Sequence, residues 1–156
     1  MTINDLLCLF WKWIGLSPDE YAVYSEKMDL EEYMFPLWEE LISNAKDIVD
    51  KQQDGRLSLS CVLTVLAFDN EDEELLEYIV NNGNDAFTCQ LVILGSQFYL
   101  AHARWQCAEI IRRRNLKALV YILKGMLNDS NGYVAKRAGN ALDSMCSFDE
   151  RNNDNQ

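Results

Sequence analysis

Residues 57–68 read LSLSCVLTVLAF, and the fold class turns on this stretch. Leu57, Leu59, Cys61, Val62, Leu63, Val65, Leu66 and Phe68 leave almost no polar face, with Ser60 and Thr64 as interruptions. Periodicity alone would allow a buried strand. A run of about twelve residues is long for a strand and ordinary for a helix, and the segments on either side carry helical spacing. The stretch therefore reads as a central buried helix.

Upstream, Leu30, Tyr33, Met34, Leu37, Trp38, Leu41, Ile42, Ala45, Ile48 and Val49 recur at intervals of three and four, one stripe of a long helix opened by Asp29. Pro36 lies within it and should kink or restart it, because proline has no N–H to donate. Residues 17–20 read Ser-Pro-Asp-Glu, a helix start in which Ser17 caps, Pro18 takes the first turn and Glu20 closes a capping box. Residues 3–14 are apolar nearly all round, so they need a cover, either the rest of the chain or a second copy in a homodimer.

Downstream, Asn70 with Glu73 predicts another helix start, and Leu75, Leu76, Ile79 and Val80 its apolar stripe. Asp85–Leu94 reads as a further buried helix stopped at Gly95. Residues 98–114 form the next, and Asn115 is expected to cap the one after it. The last helix carries Val134, Ala138, Ala141, Leu142 and Met145. The expectation is an all-α chain of about nine helices. Short links would make neighbours antiparallel. The expected division is one helical-repeat domain over 1–148 and a disordered polar tail over 149–156.

Leu123–Leu142 reads LKGMLNDSNGYVAKRAGNAL. It resembles the junction of a HEAT repeat, with Asp129 at the link aspartate and Val134, Ala138, Ala141 and Leu142 at the inner positions of the second helix. Ala103, Cys107, Ile110 and Ile111 hold the same relative places thirty-one residues earlier. The resemblance implies a short α-solenoid of stacked helix pairs. Small residues suit such stacking, since they let helix axes approach.

Charge is divided unevenly. Residues 1–80 hold 18 Asp and Glu against 5 Lys and Arg, a balance of −13; the remainder stands at +2, giving −11 in all. One acidic group is Asp69, Glu71, Asp72, Glu73, Glu74 and Glu77. Another is Asp19, Glu20, Glu26, Asp29, Glu31, Glu32, Glu39 and Glu40, interleaved with Tyr21, Tyr24, Tyr33 and Trp38. Acids at a helix start are favoured by its dipole, but that needs two or three carboxylates rather than six. Aromatic anchors among acids suit an interface with a basic protein. The residues assigned to that interface are Asp69, Glu71, Asp72, Glu73, Glu74, Glu77, Asp19, Glu20, Tyr21, Tyr24, Glu31 and Glu32.

Nothing in the chain reads as a catalytic centre. His102 is the sole histidine, adjacent glutamates on a helix point about 100° apart, and no phosphate-binding glycine loop or nucleophile motif occurs. Cys8, Cys61, Cys89, Cys107 and Cys146 show no metal-ligand spacing and read as reduced, buried thiols, so no cofactor or metal is expected. Arg112, Arg113, Arg114 and Lys117 form the one basic cluster. It suits a helix C-terminus, with a phosphate site or a dock for the acidic half as alternatives, and the overall charge argues against direct nucleic-acid binding. No run is long enough to span a bilayer, and the apolar start has no basic residue before it, so a cytoplasmic protein is expected. The functional expectation is a non-enzymatic protein binder, most concretely a bacterial immunity protein inhibiting a cationic toxin such as a nuclease. The alternative is a HEAT-like adaptor or scaffold holding a peptide or subunit on its concave face.

Overall fold

The stretch 57–68 is helical, and from Cys61 to Phe68 every residue is buried. A helix satisfies its own backbone hydrogen bonds, so it can be enclosed by other helices, whereas a lone strand could not. The computed structural model describes residues 1–155, Phe148 excepted. They form α1 (Ile3–Ile14), α2 (Pro18–Tyr24), α3 (Trp38–Asp50), α4 (Arg56–Phe68), α5 (Glu74–Asn82), α6 (Asp85–Gly95), α7 (Ala101–Arg113), α8 (Val120–Met126) and α9 (Gly132–Asn153), with 3₁₀ turns at Glu32–Met34 and Lys117–Leu119. Among the described residues there is no strand.

Neighbourhoods follow a two-layer succession. α1 packs on α3, α3 on α5, α5 on α7 and α7 on α9, while α4 packs on α6 in the other layer. α4 touches α3, α5, α6 and α7, which explains its burial on all sides. α7 and α9 form the most extensive pair, and Ala103 of α7 and Ala138 and Ala141 of α9 are buried. At the junction of α4, α6 and α7, a Cβ on Gly95 would stand 2.2 Å from Cys107 Sγ and 2.7 Å from Leu63 Cδ2, so only glycine fits there. Gln106 spans the same layers, donating from Nε2 to the Leu66 carbonyl at 2.7 Å in the last turn of α4.

Local signals account for several helix ends. Ser17 accepts from the Glu20 N–H at 3.2 Å and Glu20 from the Ser17 N–H at 2.7 Å, the reciprocal box expected at α2. Pro36 does restart the helix: the 30–49 stripe divides into the turn at Glu32–Met34 and α3. Four expectations are corrected. Asn115 terminates α7 rather than opening the next helix. At φ 50° it is the left-handed residue of a Schellman motif, with Leu116 N–H bonded to Ile111 O and Asn115 N–H to Arg112 O. Asn70 closes α4, donating to the Ala67 and Phe68 carbonyls at 3.0 and 3.3 Å. The polar tail continues α9 as far as Asn153, and Gln156 lies outside the described residues. Of the five free cysteines, Cys61 and Cys107 are buried, but Cys8 and Cys146 are exposed.

The N-terminal end is held by aromatic packing. Phe10 of α1 stacks on Phe68 with ring centroids 3.9 Å apart, and Tyr21 and Phe35 meet Phe10 edge-on. Leu6, Leu7 and Phe10 point inward, while Leu9 and Trp13 remain 37% and 41% exposed, so the chain covers only one face of α1. No helix among the described residues is long and apolar enough to cross a membrane.

Candidate acidic interface

The two acidic stretches, far apart in sequence, meet in one cleft of about 260 Å³. Its walls are the loop after α2 (Ser25–Leu30), Glu32 of the first 3₁₀ turn, Asn70 and Glu71 of the α4–α5 link, and His102 of α7. Glu26, Asp29 and Glu32 come from the first stretch and Glu71 from the second, with Lys27 the cation of the lining.

Glu32 forms the floor, only 3% exposed. Its Oε1 accepts a 2.6 Å hydrogen bond from the Tyr21 hydroxyl, itself fully buried in the aromatic cluster. Burial pushes the Glu32 carboxyl up to about 7, and the charges of Glu71 and Asp29 add to that, against the pull of the Tyr21 hydrogen bond. The Tyr21 phenol is driven far above its ordinary value, first by burial and then by the Glu32 charge.

His102 fastens the cleft loop to α7. Its Nδ1 lies 3.1 Å from Trp105 Nε1, which can only donate, so Nδ1 accepts. The proton then sits on Nε2, which donates to the Ser25 carbonyl at 2.9 Å. Both ring nitrogens are thus engaged, and His102 ties the loop to α7.

Several interface assignments made from the sequence are corrected by burial or pairing. Tyr21 and Glu32 are interior, so neither presents its side chain on an outer face. Asp69 is 3% exposed and caps α5, its Oδ2 accepting from the Leu75 N–H at 2.7 Å. Burial pushes Asp69 up to about 6; the Leu75 bond opposes this, and the charges of Glu74 and Asp72 reinforce it. Glu74 is paired with Lys46 at 2.5 Å and Glu77 with Arg113 at 2.8 Å. Glu20 is exposed but spends its carboxylate on the α2 cap.

Asp19, Tyr24, Glu31, Glu71 and Asp72 are exposed, and Glu73 is half-buried. Among the described residues, none of these five carboxylates is in an ion pair. Glu73 adopts φ 55° at the start of α5, a left-handed conformation that costs a side-chain-bearing residue about 1–2 kcal/mol. Glu26, Asp29 and His102 belong to the cleft but not to the sequence-based assignment. The two acids could have been found from their place in the acidic stretch, whereas His102 carried no such signal.

The basic triplet divides: Arg112 and Arg113 line one cavity, while Arg114 turns away from it. Arg112 pairs with Glu109, Arg113 with Glu77, and Arg114 with Asp85 at 2.6 Å and the Gly83 carbonyl at 2.6 Å. Among the described residues no group of three His, Cys, Asp or Glu is placed to hold a metal ion. Comparison with protein-family models finds no match, and neither does comparison with curated proteins or with solved structures.

Proposed function

We propose that this chain is a non-enzymatic binding protein that receives a cationic segment of a partner protein at the acidic cleft, on a HEAT-like helical scaffold. The concrete form of the reading is an immunity protein that covers the basic surface of a toxin such as a nuclease. The observation that carries it is the convergence of Glu26, Asp29 and Glu71 on one cleft above the buried Glu32, with Lys27 the cation there. Like charges gathered in one place repel, and a cation from outside removes the repulsion. Carboxylates at the rim speed association with a basic partner, and the speed falls with salt.

The test is calorimetric titration of the full chain with an Arg/Lys-rich peptide at low and high salt. Asp29→Lys with Glu71→Lys should weaken binding about tenfold or more, as expected for reversing two charges at a contact. Glu39→Lys with Glu40→Lys, an acidic pair that does not line the cleft, should leave it nearly unchanged. Equal losses from the two pairs would refute a localised site. For the inhibitor form, a toxin held in check by the wild-type chain should regain activity against the cleft double variant.

A second reading, an adaptor holding a peptide, is favoured by a larger groove of about 490 Å³ between the start of α4 and the end of α6, where Ile93 and Tyr99 are exposed. Peptide binding there would be insensitive to salt and to the cleft substitutions.

A further inference from the structure

In a chain of charge −11, one cavity is lined by arginines and by no carboxylate. It lies where the end of α7 meets α9, encloses about 270 Å³, and is bounded by Arg112, Arg113, Asn115, Ser144, Met145 and Arg151. Three other cavities each carry an acid: Asp54 in the groove beside α4, Asp129 beside α8, Asp47 in the one on α3. We infer that this cavity is a binding site for a phosphate-class oxyanion, either inorganic phosphate or a phosphate monoester.

The donors are in place. Glu109 and Glu77 hold Arg112 and Arg113, yet neither acid lines the cavity. Each guanidinium has five N–H groups, so one carboxylate partner leaves donors over. Arg151 has no ion-pair partner among the described residues; its Nε reaches only the Ser147 carbonyl, at 3.3 Å. The nearby Asp149 is occupied by Lys117 at 2.7 Å. Among the described residues the side chains of Asn115 and Ser144 have no hydrogen-bond partner, so an amide and a hydroxyl add neutral donors to the charged ones.

The end of α7 does not oppose an anion as strongly as a bare helix C-terminus would. Its last carbonyls are taken by backbone N–H groups, with Arg114 N–H on Ile110 O, Leu116 N–H on Ile111 O and Asn115 N–H on Arg112 O. That turn also places Asn115 at the cavity mouth, through its left-handed φ of 50°. Tetrahedral oxyanions suit such a set, since planar guanidinium forks bind two oxygens at once and a hydroxyl can take a third.

Calorimetric titration of the full chain with inorganic phosphate, at ionic strength matched with chloride, tests the inference. A saturable site should appear. Arg151→Ala and Ser144→Asp, both at exposed positions, should each weaken it about tenfold or more, the first by losing a charge-assisted hydrogen bond and the second by setting a carboxylate against the anion. Lys136→Ala, an exposed cation on α9 outside the cavity, should leave it unchanged. Tighter binding of phenyl phosphate than of phosphate would mark the monoester as the ligand, and the reverse the free ion. Absence of saturable binding, equal weakening by all three substitutions, or binding of a single-stranded oligonucleotide without binding of phosphate would overturn it.

Discussion

The Tyr21 hydroxyl donates to Glu32 Oε1 at 2.6 Å, joining the aromatic cluster beneath α1 to the floor of the acidic cleft. The carboxylate is thereby buried beside two other negative charges, and its pKa rises from about 4.5 to about 7. A group whose pKa is raised by folding contributes stability that is full below its unfolded value and lost as pH climbs through the folded one. Stability should therefore decline between pH 5 and pH 8, by up to about 3 kcal/mol from Glu32. Asp69, raised to about 6, adds to the decline over the lower part of that window. Glu32→Gln keeps an acceptor for Tyr21 and removes the charge. Its urea midpoint should exceed that of wild type at pH 8 and change much less with pH. Parallel pH profiles for the two proteins would show that Glu32 is not the group responsible.

Gly95 and Cys107 are in closer contact than any side chain on residue 95 would permit. Gly95→Ala should cost about 1–3 kcal/mol, the usual penalty for overpacking a core. Cys107→Ala removes the sulfur that the new methyl would strike. Combining the two should recover part of the loss, visible as a favourable coupling in a double-mutant cycle by thermal or urea unfolding. Additive losses would place the strain elsewhere.

Arg104 of α7 and Asp129 of the α8–α9 link form a two-pronged pair at 2.8 and 3.0 Å, each side chain only slightly exposed. Arg104 also reaches the Phe98 carbonyl at 2.9 Å, and Asp129 accepts from the Asn131 N–H at 2.8 Å. Asp129→Ala strands a nearly buried guanidinium and should cost about 3 kcal/mol. Hydrogen exchange should show the loss first at the start of α9. The paired replacement Arg104→Met with Asp129→Leu should be milder than Asp129→Ala alone.

Glu73 sits at φ 55° without a capping hydrogen bond from its side chain. Glu73→Gly relieves the steric cost of that conformation and loses some chain entropy, for a net gain of up to about 1 kcal/mol. Glu73 does not line the cleft, so affinity for a basic peptide should stay nearly unchanged while the unfolding midpoint rises. A drop in both would show that the side chain supports the fold.

The local signals were legible. Ser17 and Glu20, three residues apart, announced the α2 cap, because a capping box is complete within one turn. The apolar run at 57–68 announced a buried helix, and Pro36 a restart. Asp69 reads as a surface acid and Asn70 as the cap of α5, yet Asp69 caps α5 and Asn70 closes α4. The bond from Leu75 to Asp69 crosses a six-residue gap, and no short-range pattern separates a carboxylate that caps from one that is solvated.

Helix periodicity, turn residues and net charge are properties of neighbouring positions, so the sequence by itself determined an all-α chain with an acidic first half. Which carboxylates face outward was decided only by packing. Phe10 stacking on Phe68 buries Tyr21 and draws Glu32 inward, and His102, seventy-seven residues from Ser25, ties down the loop that brings Glu26 and Asp29 to Glu71. A charge's burial and its partners depend on groups distant along the chain, and those distances exist only once the helices have closed on one another.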